Sequence, residues 1–176
     1  MIQEFKIPNA VGFCKNCFRS RRDGSAYCGE CQDELERMKV FISDDQFPLL
    51  DKVLKKFKIK SALDLGNIIF TYGDTMYSSY KTLMEMPFHL VAHELTHVFQ
   101  QTKMGRDEWW KQYLADDKFR LDQEVEAYRQ QYKVAKAKNE ANAAYVLERV
   151  AGDLSSALYG NIIKFDEAKK LILEEK

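Results

Sequence analysis

The stretch Pro87-Phe88-His89-Leu90-Val91-Ala92-His93-Glu94-Leu95-Thr96-His97-Val98-Phe99 decides how this chain is read. Pro87 suits the first turn of a helix, where its missing N–H has no partner to lose, and Gly105 offers a C-terminal stop. A helix of about four turns is predicted from Pro87 to Met104. Inside it, His93-Glu94-Leu95-Thr96-His97 has the H-E-x-x-H spacing. Residues four apart on a helix stand one above the other, about 5–6 Å between Cβ atoms, so both imidazoles can converge on one ion. Zinc takes nitrogen ligands at about 2.0–2.1 Å in a tetrahedron, and His93 and His97 fill two corners. Glu94 sits beside the ion, within reach of a bound water whose pKa zinc lowers to about 7. It is cast as the general base. On an ordinary surface helix the same three residues would merely be solvated. The flanks Leu90, Val91, Ala92, Leu95, Val98 and Phe99 argue instead for a buried helix, where two imidazoles and a carboxylate need satisfying. A metal does that.

The third ligand follows from a count. The chain has 3 histidines and 4 cysteines, none of the cysteines after Cys31. His89 is two turns from His97, about 12 Å along the axis, too far to share the ion. The remaining ligand is therefore a carboxylate. In Phe119-Arg120-Leu121-Asp122-Gln123-Glu124-Val125-Glu126-Ala127-Tyr128 the inward stripe is Leu121, Val125, Tyr128, Tyr132 and Ala135. Glu124 lies near that stripe and Glu126 on the far side. Glu124 is the better candidate and Glu126 the reserve. Paired with Arg120 or solvated, Glu124 would have no such role.

Working outward, a helix is expected from Phe47, Leu50, Leu54 and Phe57, with N-caps offered by Ser43-Asp44-Asp45. Asn67 to Tyr72 and Thr75 to Tyr80 flank Gly73-Asp74 and read as a hairpin. Two helices follow near residues 117–138 and 140–159, the second with Ala143, Leu147, Val150, Leu154 and Leu158 on one face. Asp166 is placed as the cap of a short last helix. Trp109-Trp110 follow the metal helix and are read as core packing or a substrate subsite. Lys133, Lys136 and Lys138 are read as a solvated face.

Cys14, Cys17, Cys28 and Cys31 make a C-x₂-C…C-x₂-C set. Four thiolates on two tight knuckles close a tetrahedron around zinc and leave no open position, so this second zinc is expected to be structural. Lys15, Arg19, Arg21 and Arg22 make the module basic. Phosphate contacts with nucleic acid would follow from that, but a solvated loop or a protein-docking surface is favoured. A boundary near residue 38 divides a ribbon, 1–38, from a domain, 39–176.

Whole-chain composition excludes little. The 27 basic and 27 acidic residues cancel, and a hydrophobic share of 45% supports a core. No stretch approaches the roughly 18–20 apolar residues that span a bilayer, and the N-terminus has no secretory apolar region. A cytoplasmic location is the expectation.

Val91-Ala92-His93-Glu94-Leu95-Thr96-His97-Val98 resembles the active-site helix of gluzincin metallopeptidases, including the thermolysin type. Glu124-Val125-Glu126-Ala127-Tyr128 resembles the E-x-x-A-D segment of CAAX-type and HtpX heat-shock peptidases, whose first Glu binds zinc. Tyr128 stands where those relatives keep an Asp that orients a zinc histidine. The Cys stretch resembles a zinc ribbon. The resemblance implies a minimal, mostly helical α+β zincin-like domain behind a ribbon, hydrolysing peptide bonds. It also implies an edge strand that holds the substrate, for which Thr75 to Tyr80 is in position. A tyrosine often stabilises the oxyanion in such sites, and Tyr128 and Tyr132 are the candidates, with core packing as the alternative. Two rival functions are a protease tethered to nucleic acid by the ribbon and a zinc-binding interaction protein without turnover.

Overall fold

The computed structural model describes residues 2–4, 41–61, 68–79, 83, 86–138 and 140–174. Cys14, Cys17, Cys28, Cys31 and the basic residues among them lie outside the described residues.

The fold is α+β: a small sheet against a mainly helical body. β1 (Ile2–Glu4) pairs antiparallel with β2 (Phe41–Ser43), β2 runs parallel to β4 (Thr75–Tyr77), and β4 pairs antiparallel with β3 (Phe70–Tyr72). The sheet thus joins β1, from before the expected boundary near residue 38, to three strands from after it. The β3–β4 hairpin forms as expected, with Thr71 opposite Met76 and Gly73 turning at φ 65°. The expected edge strand is corrected here. Thr75–Tyr77 is interior, paired on both flanks, and β3 is a terminal strand of the sheet among the described residues. The parallel crossover from β2, which hairpin patterning cannot show, covers the flank that had been assigned to substrate.

Among the described residues, six α-helices follow or interleave with the strands: α1 (Leu50–Phe57), α2 (Phe88–Met104), α3 (Arg106–Ala115), α4 (Asp117–Lys138), α5 (Glu140–Leu154) and α6 (Phe165–Leu173). α2 opens after Pro87 and ends at Gly105, and α4 has the expected bounds. The expected 140–159 helix instead ends at Leu154, and a separate 3₁₀ turn spans Ala157–Tyr159. The caps also differ. α1 starts at Leu50 with Leu49 as N-cap, while the Ser43 hydroxyl accepts from the Asp45 amide inside its own turn. Lys164 precedes α6, leaving Asp166 in the first turn, where it still favours the helix dipole.

α3, like β1 and β2, is not among the elements expected from the sequence. Gly105, at φ 90° and ψ 124°, ends α2 through its N–H to Gln101 O at 2.8 Å, and its own carbonyl accepts from Trp109 N at 2.9 Å. The glycine therefore stops α2 as expected and also serves as the pivot into α3. No helix among the described residues is long and apolar enough to cross a membrane.

Among the described residues, three apolar clusters surround α2. Met76, Leu83, Val91, Leu95, Val98 and Val134 pack α2 against the sheet and α4. Val125, Tyr128, Val146, Val150, Leu154 and Ile172 join α4, α5 and α6. Phe47, Val53, Trp109, Trp110 and Tyr113 join α1, α3 and the sheet. His93 packs on Tyr128 of the second cluster, and His97 on Trp109 of the third, with ring centroids 4.4 and 5.5 Å apart. The histidines thus stand where the clusters meet. Lys133 and Lys136 are exposed, as a solvated face requires.

Candidate metal centre

α2 and α4 run antiparallel, since Gln100 contacts Gln123 while His89 contacts Gln131. This brings Glu124 opposite the histidine pair. His93 Nε2 and His97 Nε2 are 3.1 Å apart, and each lies 3.5 Å from a Glu124 oxygen. All three residues are buried. Ligands at about 2.0–2.1 Å in a tetrahedron are separated from one another by about 3.3–3.4 Å, close to the spacing of the two imidazoles and to the 3.5 Å from His93 to Oε2 and from His97 to Oε1. Glu124 Oε2 is buried and accepts no hydrogen bond. A bare carboxylate oxygen in that position is costly unless a cation occupies the triangle. The donor set fits a metal, and this group could hold one ion. Glu126, the reserve, is exposed and accepts from Gln100 Nε2 at 3.0 Å. His89 stays outside the triangle, in contact with Gln131.

His97, Glu124 and the neighbouring Glu94 are each held from behind, whereas His93 Nδ1 is buried with no hydrogen-bond partner among the described residues. His97 Nδ1 meets Gln100 Oε1 at 2.9 Å, and Gln100 is itself fixed by the Gln123 carbonyl and Glu126. Tyr113 donates its hydroxyl to Glu124 Oε1 at 2.7 Å. Thr71 on β3 donates to Glu94 Oε2 at 2.8 Å. Arg120 does not pair with Glu124. It bonds the Tyr113 carbonyl, the Tyr159 carbonyl and Asp117.

The charges of the metal-free chain follow from this packing. Burial works to depress the His97 imidazole, but the adjacent Glu124 carboxylate outweighs it and lifts the pKa to about 9. Burial works to raise Glu124, and the two imidazoles overcome it, holding the carboxyl well below its usual range. Glu94 goes the other way. Burial lifts its carboxyl above the ordinary value despite the imidazoles and the Thr71 hydroxyl.

The triangle opens on a cleft of about 600 Å³. Its walls are Ile68 to Thr71 of the terminal strand and its approach, Trp109, Trp110 and Tyr113 of α3, and Tyr145, Arg149 and Asp153 of α5. Glu94 lines it too. Trp109 and Trp110 are therefore both core residues and cleft wall. Tyr128 reaches the cleft with its hydroxyl 2.8 Å from that of Tyr159, whereas Tyr132 packs into the second cluster.

Sequence reading missed Gln100, Tyr113, Thr71 and Tyr159. Gln100 was open to inference, three residues past His97 on the same helix. Tyr113 was hidden with α3, although Trp109, Trp110, Tyr113 and Leu114 repeat at helical spacing behind Asp107-Glu108. Thr71 and Tyr159 carry no local signal. Comparison with protein-family models, curated proteins and solved structures gave no match to this chain.

Proposed function

We propose that the chain is a zinc-dependent peptidase of the gluzincin type, its residues 39–176 forming a minimal zincin-like domain. One observation carries the reading: buried His93, His97 and Glu124 with ligand atoms within 4.8 Å of one another, and a fourth side chain, Glu94, raised in pKa at the same cleft. Two imidazoles and one carboxylate favour zinc over magnesium or calcium, which prefer oxygen ligands. The bound ion supplies an acidified water and a Lewis acid for the scissile carbonyl.

Glu94 takes a proton from the attacking water and returns it to the leaving nitrogen. Its raised pKa suits both transfers. The Tyr128–Tyr159 hydroxyl pair, next to His93, donates to the oxygen that gains charge. The substrate lies extended beside Ile68 to Phe70. Further along, Thr71 O already accepts from Gln101 and Trp110, so that end of the strand is closed. The two-residue alternation of a strand then turns Ile69 toward the same outer side as Thr71, where backbone pairing with a peptide is available. The four N-terminal cysteines hold a second, structural zinc.

The test compares wild type with Glu94→Gln on a peptide mixture, with metal content measured on both. Expected is equal zinc at the histidine site and a loss of hydrolysis of about 10²–10⁴-fold in the variant. Equal turnover by both proteins refutes the assignment of the base. A zinc-loaded wild type that cleaves nothing refutes the peptidase reading.

A further inference from the structure

The carboxylate arm of the triangle is held asymmetrically. Each Glu124 oxygen stands 3.5 Å from one imidazole, Oε1 from His97 Nε2 and Oε2 from His93 Nε2, but only Oε1 receives a hydrogen bond, from the Tyr113 hydroxyl at 2.7 Å. Tyr113 itself is locked. Its ring stacks on Trp109 at 4.7 Å and 20° and meets Trp110 edge-on at 5.1 Å. Trp109 is anchored through Nε1 to Gln123, the residue before Glu124. The Tyr113 carbonyl takes Arg120 Nη1 at 2.7 Å, and Arg120 lies one turn before Glu124 on the same helix. A ring so confined presents its hydroxyl in one place only.

On the reading of His93, His97 and Glu124 as a metal site, we propose that Tyr113 is a positioning residue that occupies one Glu124 oxygen and reserves the other for the ion. A carboxylate with both oxygens open can chelate through both, as larger oxygen-seeking cations such as calcium prefer. With Oε1 engaged, Glu124 offers a single oxygen and completes three corners of a tetrahedron, leaving the fourth for solvent or substrate. Tyr113 thus selects for a small four-coordinate ion. It also ties α3, which contributes no ligand, to the ligand geometry.

Tyr113→Phe keeps the ring, its stack and the Arg120 contact and deletes only the donor. The full-length chain is used, with His97→Ala as the blank that isolates the histidine site from the cysteines. Zinc affinity is read by competition with a chromophoric chelator, and coordination by the visible absorption of the Co²⁺-loaded protein. Expected is a 10–100-fold loss of zinc affinity at the histidine site, with the cobalt bands weakening as coordination number rises. Unchanged affinity and an unchanged cobalt spectrum overturn the role of Tyr113. The wild type gives a second reading that no folding failure in the variant can obscure. Its cobalt bands at this site have the intensity of a four-coordinate ion, and weak five- or six-coordinate bands overturn the proposal. No ion at the histidine site of wild type, by difference from His97→Ala, overturns the metal-site reading itself.

Discussion

Thr71 and Glu94 share a buried hydrogen bond of 2.8 Å, the threonine Oγ1 donating to the carboxylate Oε2. The bond joins the terminal strand to the metal helix at the side chain assigned to proton transfer. The same Thr71 accepts through its carbonyl from Gln101 and from Trp110. Strand β3, helix α2 and helix α3 therefore meet at one residue, and one wall of the cleft and the carboxyl proposed as the base are positioned together.

Thr71→Val tests that coupling. The hydroxyl lowers the Glu94 pKa, so removing it raises the pKa further. The base is needed ionised, so the acid limb of the kcat/KM profile moves to higher pH. Loss of a donor to a buried carboxylate also destabilises the fold, by about 1–3 kcal/mol. A pH–rate profile with its acid limb unmoved is the result that sinks the role given to Thr71.

Metal stoichiometry separates the two proposed zinc sites. Wild type is expected to carry two zinc ions per chain, one on His93, His97 and Glu124 and one on Cys14, Cys17, Cys28 and Cys31. His97→Ala removes one of three ligands from the first site and leaves the thiolates intact, so elemental analysis should fall from two ions to one. Two ions retained in that variant contradict the site. None retained contradicts the independence of the cysteine module.

His93, Glu94 and His97 were legible in the sequence because all three lie within one element, where helical spacing alone fixes their relation. Glu124 lies 27 positions beyond His97. It could be named only because the chain is poor in histidine and Glu124 flanks an apolar stripe. Tyr113 and Thr71 could not be named. Their roles depend on how α3 and β3 dock, and docking is set by aromatic packing among Phe47, Phe70, Trp109 and Trp110, a pattern without period. The hairpin was legible from β-branched residues around Gly73-Asp74. Its place in the sheet was not, because the neighbour on the other flank, Phe41–Ser43, arrives from 32 residues upstream through a parallel register of Phe41 with Thr75 and Ser43 with Tyr77.

Zinc uptake should depend on pH through His97. In the metal-free chain its pKa is raised from 6.5 to about 9, so the imidazole is protonated at neutral pH and the ion must displace that proton. Apparent zinc affinity then climbs about tenfold per pH unit below about 9 and levels above it. The stability of the metal-free fold runs in the opposite sense. The His97–Glu124 pair contributes fully below the unfolded histidine value of about 6.5, and the contribution declines as pH rises through about 9. Glu124, with its lowered pKa, loses its share only in acid, below the unfolded carboxyl value. Competition titrations from pH 6 to 10, corrected for the chelator, give the slope. A flat affinity between 6.5 and 9 rules out a protonated His97 in the metal-free site.

Gly105 controls the geometry that brings α3 back over the triangle. At φ 90° and ψ 124° it adopts a backbone conformation open to glycine and strained for any residue with a Cβ. A methyl group there would meet no atom within 4 Å, so the cost of Gly105→Ala is backbone strain and not a clash. That strain is about 1–3 kcal/mol, which for a chain of this size lowers Tm by about 3–10 °C. The chain can relieve part of it only by turning α3 relative to α2, which pulls Tyr113 from Glu124 and Trp110 from Thr71. Gly105→Ala should therefore lower thermal stability and zinc affinity together, although it touches neither ligand nor cleft. Calorimetry with a parallel zinc titration reads both. A fall in Tm with unaltered zinc affinity confines Gly105 to the fold, and no change in Tm removes the pivot altogether.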